Sequence, residues 1–193
     1  MVTENGQVSV EAARYPRVVS VELLAGRLQD DAADILKHKD TVKQILRNVV
    51  KKTRSCVLRE EDIIDEVYRL VRDESDAWHI HVSLYSILTY VNMGIDDVVI
   101  YKIYADEDDR TNDLFVVLFG GRQLTERQVE VLKEVASLYA AKYYDKLKEG
   151  KFYDATAVKR RKHNEIYVVL HNLVNTWVDC RDVIKELEKE GRQ

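Results

Sequence analysis

Proline is almost missing from this 193-residue chain: there is one, Pro16, beside seven glycines and two cysteines. So few breakers exclude a proline- or glycine-rich disordered chain and favour long regular elements. Cys56 and Cys180 lie far apart, and neither belongs to a CxxC pair. No zinc site or disulfide framework is signalled, and both thiols are expected to be small buried hydrophobes. No apolar run approaches the roughly 18 residues of a membrane span, and no basic-then-apolar leader opens the chain. The expected location is the cytoplasm, with no membrane partner. Also missing are a P-loop, GxSxG, HExxH and a dinucleotide-binding glycine pattern. An enzyme is therefore the least favoured class, and no cofactor, metal or small-molecule substrate is expected.

What is present describes a folded domain, with 46% apolar and 33% charged residues. Few Asn and Gln beside abundant Glu, Lys, Arg, Val, Ile and Tyr resemble a thermophile's composition. The net charge of −4 hides an asymmetry. From Lys37 to Arg54 there are seven Lys or Arg and one acid, Asp40, a local +6 that leaves −10 for the rest of the chain. A chain so polarised carries one basic surface.

Residues 1–16 are polar and irregular, and are expected to form a flexible arm. "RVVSVELLAGRLQDDAADILKHK" reads as a short strand followed by a helix. In "DTVKQILRNVVKKTRS", Val42, Ile45, Leu46 and Val49 make an apolar helical stripe. Lys39, Lys43, Arg47, Lys51 and Arg54 share one flank of that helix. Like charges at this spacing cost about 0.2–0.5 kcal/mol per pair, so packing or a polyanion must offset them. "REEDIIDEVYRLVRDES" is a second amphipathic helix with an acidic outer side.

The stretch "AWHIHVSLY", residues 77–85, alternates apolar and polar side chains. Read as a strand, it puts Trp78, Ile80, Val82 and Leu84 on one side and His79, His81, Ser83 and Tyr85 on the other. With Ile87, Leu88 and Val91 behind it, it also fits a helix. "DDVVIYKIYADEDDRTNDLFVVLFGG" reads as two strands around an acidic turn closed by Gly120-Gly121. Adjacent carboxylates such as Asp106 to Asp109 do not converge on one metal, so that cluster is expected to be a solvated turn. At "LTERQV", Thr125 and Gln128 form a capping box and Leu124 with Val129 a hydrophobic staple, opening a helix that Gly150 stops.

Near the C-terminus, Ile166, Leu170, Leu173, Trp177, Cys180, Ile184 and Leu187 repeat at alternating intervals of four and three. That is a heptad seam, preceded by the basic cluster "KRRKH" at 159–163, and it predicts a homodimer through residues 151–193. The predicted fold class is α+β: helices packed on an antiparallel sheet of three or four strands in residues 17–150, with a C-terminal coiled-coil helix.

If "AWHIHVSLY" is a strand, period-two logic gathers His79, His81, Tyr85, Lys102, Tyr104, Phe115 and Phe119 on one sheet face. Rings of this kind stack on bases without reading sequence, and cations beside them hold phosphates. The candidate stacking residues are Tyr85, Tyr104, Phe115, Phe119, His79 and His81. The candidate phosphate contacts are Lys39, Lys43, Arg47, Lys51, Arg54 and Lys102. The alternative is that helices cover both faces and the rings are core.

The strands "HIHVSLY", "VVIYKIY" and "LFVVLF", followed by a zipper from Ile166 to Leu187, resemble the layout of the ThermoDBP family, single-stranded DNA-binding proteins of Thermoproteales. The resemblance implies a zipper-joined dimer with an aromatic, positively edged cleft in each N-terminal domain. The expected function is sequence-non-specific binding and protection of single-stranded DNA or RNA. One rival is a dimeric winged-helix regulator of duplex DNA, with helices over 40–54, 60–73 and 78–92 and "HIHVSLYSILTYVNMG" in the major groove. Against it, that helix contains no Lys or Arg. Another rival is a structural protein that packages nucleic acid.

Overall fold

A computed structural model describes residues 17–24, 26–148 and 154–191. The expected arm at 1–16 and the stop at Gly150 lie outside them. Strands β1 (Val18–Ser20), β2 (Val57–Arg59), β3 (Asn92–Ile95), β4 (Val98–Tyr104) and β5 (Leu114–Leu118) form one sheet in the order β1-β3-β4-β5-β2. Helices are α1 (Gln29–Lys37), α2 (Lys39–Thr53), α3 (Glu60–Leu70), α4 (Glu74–Tyr90), α5 (Glu126–Lys148), α6 (Ala155–Trp177) and α7 (Cys180–Glu190). The expected antiparallel sheet of three or four strands is thus corrected to a five-stranded mixed sheet, because β1 adds to β3 in parallel.

"AWHIHVSLY" is helix, not strand. Asp73 caps α4, its side chain accepting from the Asp76 N–H at 3.0 Å. The buried positions are Ala77, Ile80, Ser83, Leu84, Ile87 and Leu88, a helical set. Ile80 and Leu84 satisfy both a period of two and a period of 3.6, so eight residues of alternation did not discriminate. Trp78, the first residue of the supposed inner strand face, is 54% exposed.

Residues paired across an antiparallel ladder share a face. Ile100 with Val117 and Lys102 with Phe115 face the layer of α2, α3 and α4, where Leu46, Ile63 and Leu84 surround Ile100 and Phe115. Tyr101 with Val116 and Val99 with Leu118 face the other way, and the Tyr101 hydroxyl accepts from the Leu124 N–H at 3.1 Å, just before α5. Helices therefore lie on both faces, and Phe115 and Phe119 are core, 1% and 5% exposed. They offer no stacking surface. A register shift between Lys102 and Tyr104 pairs Tyr104 with Leu114, taking Tyr104 off the parity that had set it beside Lys102.

The helix start at α5 is built by reciprocal bonds, Thr125 N–H to Gln128 Oε1 at 2.8 Å and Gln128 N–H to Thr125 Oγ1 at 3.1 Å. In the turn between β4 and β5, Asp106 is buried rather than solvated and accepts from the Asp108 and Asp109 N–H groups. Gly120 and Gly121, at φ +67° and +74°, take the left-handed turn after β5 that a side chain would strain.

The heptad seam does not form a free zipper. Val178 and Asp179 adopt extended angles, and Asp179 caps a new helix by accepting from the Arg181 N–H. The seam folds back on its own chain. Ile166, Leu170, Cys180, Ile184 and Leu187 are buried in the core, with Leu173 and Trp177 packed against it. The expected coiled coil is corrected accordingly. Cys56 and Cys180, expected as separate thiols, form a disulfide with Cα atoms 5.9 Å apart, which ties α7 beside β2.

Candidate nucleic-acid interface

The basic flank of α2 is where α7 and a β-turn supply acids. Asp96 sits 3.5 Å from Lys39 Nζ and 3.0 Å from Lys43 Nζ. Glu188 lies 3.1 Å from Arg54, and Glu190 lies 3.8 Å from Arg47. Lys51, half-buried, points toward the end of α7 near Gly191. The like-charge cost of the stripe is thus offset within the chain, and four of its five cations already have carboxylate partners.

The other predicted residues separate. His79 is exposed on α4, its Nδ1 donating to the Ser75 carbonyl at 2.6 Å. His81, two residues on, is turned away from it and half-buried, 3.8 Å from Glu60. Two cations lie over the Tyr85 ring, Lys102 Nζ at 4.9 Å and the Arg110 guanidinium at 4.6 Å from its centre. Lys102 also pairs with buried Asp113 at 3.1 Å.

Lys102 and Tyr104 do meet at a surface feature. Two adjoining cavities of about 900 and 670 Å³ share Ile103, Tyr104, Ala105 and Lys133 in their walls and so form one trough. The first cavity opens beside β1, between Arg17, Tyr90 and Lys102. The second runs between α5 and α6, past Tyr143, Tyr144, Lys159 and Lys162. Tyr90 and Tyr144 are 53% and 58% exposed. The Arg27 guanidinium stacks 4.0 Å over Tyr90.

The trough's electrostatics are mixed but net cationic. Glu107 and Asp108 line it, and Asp108 draws Lys159 to 3.6 Å and Lys162 to 3.9 Å. Arg17 and Lys133 make no ion pair among the described residues. Burial, then Asp106, Asp108, Asp113 and Glu107, push the Tyr104 phenol well above its usual value, so it stays a hydrogen-bond donor. Burial and the bond to Glu165 push Tyr143 up to about 12.

Sequence reasoning missed Arg17, Tyr90, Lys133 and Tyr144 altogether. The basic cluster holding Lys159 and Lys162 was visible, but its role depends on α6 folding back beside α5. Among the described residues no group of three metal-ligating side chains converges, and no helix is long and apolar enough to cross a membrane. No protein-family model, no curated protein and no solved structure matches the chain.

Proposed function

We propose that this chain binds single-stranded nucleic acid along the trough, with bases against Tyr90, Tyr104 and Tyr144 and phosphates against Arg17, Lys133 and Lys159. The observation that carries this reading is the continuity of the two cavities, whose shared walls bring Tyr90, Tyr104 and Tyr144 together with Arg17, Lys133 and Lys159. Stacking on such rings contributes about 1–3 kcal/mol per base and accepts any base. Phosphate contacts add an affinity that falls with salt. The acidic total charge is no obstacle, because the field inside a cleft is set by its own walls.

A duplex keeps its bases stacked inside and cannot offer them to rings set in a trough. The winged-helix alternative needs "HIHVSLYSILTY" as a helix, and α4 is one. But α4 packs on α1, α3, β3 and β4 and carries no Lys or Arg, which leaves no cationic side for a major groove.

The test is a pair of variants in a single-strand binding titration at several salt concentrations. Lys133→Glu is expected to weaken binding about tenfold and to make the salt slope shallower by about 0.7 or more. Tyr144→Ala is expected to weaken binding at least about fivefold with the slope unchanged. Affinities and slopes equal to wild type in both would contradict the reading.

A further inference from the structure

The trough does not end at Tyr90. Residues 88–90 of α4 line its wall, and the same helix continues away from it with a row of rings. Trp78, His81 and Tyr85 are spaced by three and four residues, which sets them along one side of α4. At 1.5 Å per residue, their Cα positions advance by about 4.5 and 6 Å along the axis. Trp78 and Tyr85 are thus farther apart along the helix than two stacked bases at about 3.4 Å, so bases meeting both would be drawn apart.

Tyr68 of α3 joins the row, its ring edge-on to His81 at 6.1 Å and 75°. Trp78 and Tyr68 are 54% and 44% exposed, although most of α4 is packed. Arg110, over the Tyr85 ring, is exposed and makes no ion pair among the described residues. Lys102 joins the two regions, since it lines the trough and also lies over Tyr85. A lone exposed ring needs no explanation. Trp78, edge-on to His79, and Tyr68, edge-on to His81, flank Tyr85 along this side. Arg110 and the Asp113-paired Lys102 lie over the Tyr85 ring, and the set adjoins a cationic trough as a stacking track does.

We propose that Tyr68, Trp78 and Tyr85 form a second stacking track for single-stranded nucleic acid, with half-buried His81 packed edge-on against Tyr68 beneath it. A strand leaving the trough passes Lys102 and Arg110 and runs along α4 toward Trp78. The inference rests on the trough reading. It adds a length requirement: short strands fill the trough alone, and only longer ones reach Trp78.

Trp78 supplies the readout. Oligothymidylates of about 6 and about 15 nucleotides are titrated into the full chain, following tryptophan emission and, separately, anisotropy of a labelled strand. The longer strand is expected to quench emission and the shorter one to bind without quenching, with the quenching gone in Trp78→Phe. Tyr68→Ala with Trp78→Ala, both at exposed positions, is expected to weaken the longer strand at least about fivefold and leave the shorter unchanged. If both strands bind but emission and the double variant's affinity match wild type, the track is wrong and the trough stands. If neither strand binds, the trough reading fails and the track with it.

Discussion

Glu60 and His163 are buried ionisable residues whose environments push their titrations in opposite directions, past each other. Burial raises the Glu60 carboxyl to about 7, with Asp113 adding to the shift and Arg110 and Lys102 opposing it. Its neighbour His81 is itself held below the usual imidazole value by burial and Arg110. From pH 4.5 to about 7 the folded chain holds a Glu60 proton that the unfolded chain has lost. Stability therefore falls as pH rises through that window, by about 3 kcal/mol in all at 1.36 kcal/mol per unit. Glu60→Gln should leave stability near wild type at pH 5 and raise it at pH 8, as read by denaturant midpoints. An equal difference at both pH values would contradict this. His163 works the other way. Burial, then Arg59, lowers it to about 4, and among the described residues neither ring nitrogen has a hydrogen-bond partner. Its contribution is intact above pH 6.5 and lost as pH falls toward about 4. Between 4.5 and 6.5 the two residues oppose each other, so wild type should show a shallower slope there than Glu60→Gln does.

Helix α7 is the element that changes most between sequence and structure. Its apolar residues continue a heptad seam, and a long zipper follows if α6 runs on without a break. Val178 and the capping Asp179 break it, and the seam then closes on the chain's own core. A cap inside a good seam is a weak local signal, and only the partner surface decides which wins. The disulfide was equally hidden, since Cys56 and Cys180 are separated by 124 residues and no spacing rule links them. Closing so large a loop should stabilise the chain by about 5 kcal/mol through the unfolded state. A dithiol reductant should therefore lower the denaturant midpoint of wild type markedly and leave Cys56→Ser with Cys180→Ser unmoved. A midpoint insensitive to reductant would contradict that role. By contrast, α2, α3 and the start of α5 were legible, because their stripes and the Thr125–Gln128 box are local chemistry that tertiary contacts did not override.

Across the whole molecule, helices on both sides of the sheet take the aromatic face that strand parity promised and turn it into core. Ring-and-cation chemistry reappears where chain segments distant in sequence meet, Arg17 and Tyr90 with Lys102, and Tyr104 with Lys133 and Tyr144. Residue types could be read from the sequence; their convergence depends on β1 pairing with β3 and on α6 returning beside α5, which no single window encodes. The basic stripe on α2, the strongest charge signal in the chain, serves Asp96 and the acids of α7 instead.

The most direct measurement is fluorescence anisotropy of one labelled oligonucleotide, first single-stranded and then annealed to its complement, titrated with the full chain at two salt concentrations. The account predicts that the single strand binds, that its affinity falls at higher salt, and that the duplex binds far more weakly. Duplex binding as tight as single-strand binding, or no binding to either form, would contradict it.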